Sequence, residues 1–298
     1  MQVLQIALSG IAQGCIYGLI ALGFVLIYKA TETVNFAQGE LMMVGAFIGL
    51  SGATVLGLPF WVSIAATMLA MFLFGMVLER SLLRPLLGQP AFTVAMVTIG
   101  FAYLARGLVT MIPAWGTDTH TLPVPYKDEL LRFGTPDATG QQLVVSMEHI
   151  AIIVATAALC AILYLFFRFT RLGIAMQAAS QNQLAAFYMG IPVRRLNALV
   201  WGISAGMAAC AGILLAPITF IHANMGFIGM KAFPAAVVGG FGSIPGAIAG
   251  GLVIGLVESF SGFYLPEGFK DVAAYVVVLL MLAIKPNGLF GDKLRKRV

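Results

Sequence analysis

Apolar stretches of about 20 residues recur along the chain, separated by short polar or basic connections. A helix rising 1.5 Å per residue needs about 20 such residues to cross about 30 Å of hydrocarbon. On that scale the pattern predicts about eight hydrophobic segments, near 4–28, 36–57, 60–78, 92–112, 149–169, 197–221, 232–262 and 271–290. The expected fold is all-α and polytopic. The seventh segment is too long for one plain span and carries "PAAVVGGFGSIPGAIAGG" at its centre. Glycine and proline weaken a helix interior by roughly 1 and 3 kcal/mol. Gly239, Gly240, Gly242, Pro245 and Gly246 are therefore expected to form a non-helical turn between two short helices that dip in and return. Backbone freed at membrane depth must face protein or a water-filled cavity.

Composition agrees with the pattern. Hydrophobic residues make up 60% and charged residues 10% of the 298, and mean hydropathy is +0.96. No stretch is polar enough for a separate soluble domain, so 1–298 reads as one membrane unit. The first apolar run follows "MQV" without a basic leader region and reads as a retained helix. Cys15, Cys160 and Cys210 lie singly inside apolar runs, which suits packing or lipid contact. With no Walker A loop, no metal-ligand spacing and no nucleophile beside a base, neither catalytic residues, a metal nor a cofactor are expected.

A net charge of +5 would suggest nucleic acid in a soluble protein. Here the basic residues fall between apolar runs and report orientation instead. Lys29, Arg80, Arg84, Arg168, Arg171, Arg194, Arg195, Lys285 and the "KLRKRV" tail are assigned to the cytoplasmic side. Residues 113–148, with Asp118, Asp128, Glu129 and Asp137, become an outer loop, and the amino terminus lies outside. Pro113, Pro123, Pro125 and Pro136 between Thr/Leu/Val stretches predict extended segments or a small hairpin there. The loop near 170–196 is basic at both ends and amphipathic between, with Ala178, Ala185, Ala186 and Met189 able to share a face. It fits either a helix lying on the bilayer or a docking helix whose small residues admit a partner.

The stretch "ETVNFAQGELMMVGAF", 32–47, puts polar groups inside an apolar run. Glu32 reads as part of a helix start capped by Thr33 or Asn35. Asn35 and Gln38 share a helix face and Glu40 lies partly round it, so these three should face protein and not lipid. The expected role is a polar knot pinning the first two helices together, with pathway lining as the alternative; Gly39 and Gly45 would allow close approach. Arg106 is expected to snorkel to the outer headgroups, and Glu258 to sit solvated or capping near a helix end.

The whole chain resembles the inner-membrane permease subunits of bacterial ABC importers for branched-chain amino acids, specifically the first of two related permeases. The resemblance lies in "GCIYGLIALGFVLIYKATETVNFAQGE" (14–40), "NQLAAFYMGIPVRRLNALVWGISAGMAACAGILLAP" (182–217), "MGFIGMKAFPAAVVGGFGSIPGAIAGGLVIGLVE" (225–258) and "KPNGLFG" (285–291). Two positions depart from it. Gln38 stands where the "NFAHGE" pattern has histidine, and Leu184 replaces the glutamate of the "EAA…G" signature ahead of Ala185, Ala186 and Gly190. The resemblance implies ATPase coupling through Ala185, Ala186, Gly190 and Arg194. It also implies a second permease, cytoplasmic ATP-binding subunits, a periplasmic binding protein and a bilayer as partners, with no nucleic acid. Cargo in such a family includes branched-chain amino acids, with urea, short amides or aromatic acids as alternatives. A secondary transporter is the rival class.

Overall fold

Helix α1 (Gln2–Thr31) is apolar but for Tyr17 from Gly14 to Ile27, and every residue in that stretch is buried. A helix without a polar face is stable in a bundle only when surrounded, and α1 forms the axis of this one. The computed structural model describes residues 2–86, 88–127, 129–133, 143–266 and 268–291. The "KLRKRV" tail, Asp128 and Asp137 lie outside the described residues.

The remaining elements follow in order: α2 (Gln38–Thr54), α3 (Phe60–Leu78), α4 (Ala91–Met111), β1 (Leu130–Phe133), β2 (Leu143–Ser146), α5 (Met147–Phe169), α6 (Arg171–Gln181), α7 (Gln183–Tyr188), α8 (Val193–Thr219), α9 (Gly226–Met230), α10 (Ala232–Gly239), α11 (Ile244–Tyr264) and α12 (Phe269–Ile284). Six helices among the described residues are long and apolar enough to cross a membrane; α2, α9–α10 and α12 are shorter. Burial grades them. In their most apolar windows α1 and α8 are 89% and 83% buried, whereas α5 is 22% buried and presents Val154, Ile162 and Leu165 outward, as a lipid-facing helix does.

Glycines set the closest joint. Gly10, Gly14 and Gly18 of α1 meet Leu256, Gly251 and Ile248 of α11, so the two helices cross antiparallel. A Cβ on Gly14 would lie 2.8 Å from the Gly251 carbonyl oxygen, nearer than a methyl tolerates. Such small-residue seams replace hydrophobic driving force between helices in lipid.

One end of the bundle gathers the connections that carry basic residues. Gln183 of α7 donates to the Ala30 carbonyl at the end of α1, and Arg84 Nη2 donates to the Arg194 carbonyl at 3.4 Å. The opposite end is capped by the loop after α4. Trp115 stacks on Phe47 at 5.3 Å and donates to Ser51 Oγ, His120 bridges to Ile221, and Tyr126 packs edge-on to Phe60. Burial, aided by Glu148, pushes the Tyr126 phenol up to about 12, so the cap keeps a neutral ring. The extended segments expected in this loop are an antiparallel pair, with Leu130 opposite Ser146 and Arg132 opposite Val144.

The seventh segment is not two short halves. Its interruption covers 240–243, and α11 beyond it runs 21 residues. Gly239 is the last residue of α10, while Pro245 and Gly246 lie in the first turn of α11. Proline is at home there because its missing N–H would be unpaired anyway, and Ser243 caps the turn by accepting from the Gly246 N–H at 3.1 Å.

Candidate functional site

The polar stretch 32–47 is split between a turn and a helix start. α1 ends at Thr31, Glu32 takes a left-handed φ of 54°, and Thr33 pairs with the Thr31 hydroxyl instead of capping. Asn35 does not cap the helix either: its Oδ1 accepts from the Ala37 N–H at 3.1 Å and closes the turn ahead of α2, whose N-cap position, Ala37, has no side-chain cap. The Asn35 amide nitrogen donates to Gln38 Oε1, also at 3.1 Å. Gln38 Oε1 further accepts from the Ser204 hydroxyl, and Gln38 Nε2 donates to the Ser204 carbonyl at 3.3 Å. A side chain that donates and accepts at one place suits an amide, which explains how glutamine fills this position. The knot therefore ties α2 chiefly to α8, passing over Gly23 of α1, where any Cβ would strike the Gln38 amide. The expected knot between the first two helices thus extends to a third, α8, which supplies the hydrogen-bond partner.

Glu40, two residues after Gln38, is 2% exposed and takes Arg106 Nη2 of α4 at 2.5 Å. The guanidinium lies 3.9 Å over the Phe227 ring of α9. Arg106 does not snorkel: a carboxylate in reach within low dielectric holds it better than a stretch to the headgroups would. Gly39 lets α9 approach, since a Cβ there would strike the Gly226 carbonyl, and Gly45 makes the same room for Ala209 of α8. Glu40, Arg106, Phe36, Tyr103, Phe227 and Met230 border a cavity of about 310 Å³.

A second ion cluster, buried at Glu258 and Tyr17 and open at Asp271, joins α1, α10, α11 and α12. Lys231 Nζ, just ahead of α10, contacts Glu258 Oε1 at 3.0 Å and Asp271 Oδ1 at 2.5 Å. Tyr17 donates to Glu258 Oε2 at 2.5 Å, and Gln13 donates to Tyr17 at 3.0 Å. Glu258 is neither solvated nor capping. α11 continues to Tyr264, so position 258 lies well inside the helix, 2% exposed. Buried Glu79 pairs with Arg84 at 2.8 Å in the π-helical turn that extends α3. Except for Glu79 and Arg84, five residues apart, only the fold reveals these pairs; Glu40 and Arg106 are 66 residues apart in sequence.

The break after α10 is locked from outside. Gly240 takes a φ of 98°, open to glycine, and the Leu289 and Phe290 N–H groups donate to the Val238 and Gly239 carbonyls at 2.8 and 3.1 Å. Gly242 meets nothing where its Cβ would be and carries no packing constraint.

The loop 170–196 holds two helices, not one. Thr170 caps α6 and Asn182 caps α7, accepting from the Ala185 N–H at 2.9 Å. That cap sets the register of α7. Ala186 turns inward and is 5% exposed, whereas Leu184, Phe187, Tyr188 and Met189 are 66–82% exposed. The expectation that Ala178, Ala185, Ala186 and Met189 share a face is corrected at Ala186, which is buried while the other three are exposed, and the outward face of α7 is chiefly bulky and not small. Ala185 and Arg194 remain exposed, and Gly190 has a φ of 80° with open space where a Cβ would stand.

An α-helical bundle with a broken helix, buried ion pairs and an exposed loop helix at its basic end defines a polytopic transport subunit. The family model described as branched-chain amino acid transport system, permease component, matches residues 6–284. The chain is 32% identical over 298 residues to the high-affinity branched-chain amino acid transport system permease LivH of Salmonella typhimurium, covering 97% of this chain and 95% of that one. Identity to LivH of Escherichia coli is 32%, and to BraD of Pseudomonas aeruginosa 33%, at the same coverage. No solved structure matches the chain. The chain belongs to the branched-chain amino acid transport permease family. It is a multi-pass inner-membrane component of an ABC importer, a transport subunit and not an enzyme.

Proposed function

We propose that the chain is one of two related permeases in an ATP-driven importer that moves branched-chain or chemically similar amino acids inward by alternating access. The family assignment and its relatives support the cargo class. A periplasmic binding protein delivers cargo to the end capped by Trp115, His120 and Tyr126, and cytoplasmic ATPase subunits grip the basic end. The observation that carries the coupling is α7. A helix of 6 residues, seated by Asn182 and Ala186, holds Leu184, Phe187, Tyr188 and Met189 out at the basic end, all without cover. Bulky apolar side chains clustered on a short loop helix are anchors of the kind that fill a partner's pocket. ATPase closure would then push on α7 and, through Gln183 and Ala30, on α1.

The assembled transporter in proteoliposomes tests this. Phe187→Asp is expected to abolish leucine uptake and cargo-stimulated ATP hydrolysis while the permease stays inserted and monodisperse. Wild-type levels of both would return α7 to the role of a helix lying on the bilayer.

A further inference from the structure

We propose that the crevice between α1, α5, α6 and α11 is a site for one membrane phospholipid with an anionic headgroup, the headgroup phosphate on Arg168 and an acyl chain in the crevice. The inference goes beyond the transport role and does not depend on the cargo.

The crevice encloses about 570 Å³, within the range of about 300 to 1,000 Å³ of ligand sites. Its walls are graded. Cys160, Leu163 and Phe167 of α5, Ile244 and Ile248 of α11 and Leu22 of the central α1 are apolar. The polar groups gather at the last turn of α5: Tyr164 and Arg168 bond to each other there, and Gln177 of α6 donates to the Phe167 carbonyl at 3.2 Å. That turn leads into the basic connections, so the gradient runs from headgroup level into hydrocarbon. From Arg168 back to Cys160 is eight residues of helix, about 12 Å. The hydrocarbon of one leaflet is about 15 Å deep, half of about 30 Å.

Charge fixes the headgroup. The Arg168 guanidinium lies 5.6 Å from the ring centres of both Tyr164 and Phe169, which hold it at the mouth of the crevice. Among the described residues no carboxylate pairs with it. A phosphate supplies the missing anion; basic pockets between transmembrane helices on the cytoplasmic side take anionic headgroups in this way.

Shape fixes the tail. Helix α5 is the wall that faces lipid, so acyl chains reach the crevice directly from the bilayer. A transmembrane helix of a partner is about 10 Å across and would lie over the crevice, whereas a single chain enters it. A free phosphate would leave the apolar walls uncovered. The occupant sits where α6 is seated on α5, since Gly173 admits the backbone of Phe166 and Phe167, and so braces the corner that leads on to α7.

The test is native mass spectrometry of the delipidated complete transporter, with the permease alone in parallel, titrated with phosphatidylglycerol or phosphatidylcholine of the same chains. Wild type is expected to bind one phosphatidylglycerol several-fold more tightly than phosphatidylcholine. Arg168→Gln should abolish that preference, and Ile174→Trp, which fills the crevice mouth, should weaken binding of that one lipid several-fold. Both side chains are exposed, so folding is not at stake. Arg80→Gln, an exposed arginine of the basic end that does not line the crevice, should leave binding unchanged. Equal affinity for the two lipids in wild type, or an equal loss in Arg80→Gln and Arg168→Gln, overturns the site and leaves general attraction to the basic end. Glycerol phosphate binding as tightly as phosphatidylglycerol overturns it in favour of a free anion. Binding to the permease alone that the complete transporter excludes also overturns it and gives the crevice to a partner subunit.

Discussion

Tyr17 of α1 donates a 2.5 Å hydrogen bond to Glu258 of α11, 241 residues later, and so reports on the seam that joins the two helices. The other oxygen of Glu258 holds Lys231. Removing Glu258 would leave a phenol and an ammonium group without their shared acceptor, although Lys231 keeps Asp271. Glu258→Ala is expected to destabilise the permease by about 3 kcal/mol, the lower end for a broken buried pair. Tyr17→Phe should cost about 1–2 kcal/mol. Thermal unfolding of the detergent-solubilised protein, followed by size-exclusion recovery, ranks them. Equal recovery for Glu258→Ala and wild type would dismiss the cluster as a structural tie.

The glycine seam makes a sharper case. Gly251 faces the backbone of Gly18 and Gly14 so closely that a Cβ would overlap both. Gly251→Leu is expected to prevent a folded monodisperse permease, since overpacking costs about 1–3 kcal/mol even where side chains yield and here backbone would have to move. Gly242→Ala, in the break ahead of α11 and in open space, should be tolerated. Comparable yields of the two variants would contradict the seam.

Gln38→Leu is expected to cost about 1–3 kcal/mol by leaving the Asn35 amide and the Ser204 hydroxyl without partners. Gln38→His, which still offers one acceptor and one donor, should recover part of that loss. The comparison is one of melting temperatures for three otherwise identical proteins; a leucine variant as stable as wild type would show that the knot adds nothing.

These residues show where sequence reading succeeds in this chain and where it stops. Spans and the break at 240–243 are legible because hydropathy and helix breakers are local properties. The hairpin of 130–133 and 143–146 follows likewise from prolines and β-branched residues. The partner of Arg106 is not local. It depends on the rotation of α4 against α2, set by packing among helices whose faces are apolar all round and therefore carry no moment to read. Glycines 10, 14, 251 and 255 look like weak helix positions in sequence but are contact positions in space. The inward turn of Ala186 hangs on one Asn182 cap that divides the loop helix.

At the loop helix, Gly190 supplies a left-handed turn with no packing demand. Gly190→Asn is expected to keep transport near wild type, because asparagine tolerates that region, whereas Gly190→Val should reduce uptake severalfold by straining the exit from α7. Uptake by the two variants in the same vesicles decides it; equal activity would mean that the turn adapts to any residue.

The joint between α1 and α11 has a consequence for the order in which the molecule is made. Helix α1 finds its closest neighbour, α11, only after some 200 further residues have been synthesised. The α10 carbonyls wait longer still, for Leu289 and Phe290. Lipid makes the delay bearable for α1, because acyl chains solvate an apolar helix as well as protein does. The open end of α10 has no such substitute. The break after α10 is thus closed by residues beyond α12, and a chain halted after Lys285 would present the insertion machinery with a helix end lacking the two donors supplied by Leu289 and Phe290.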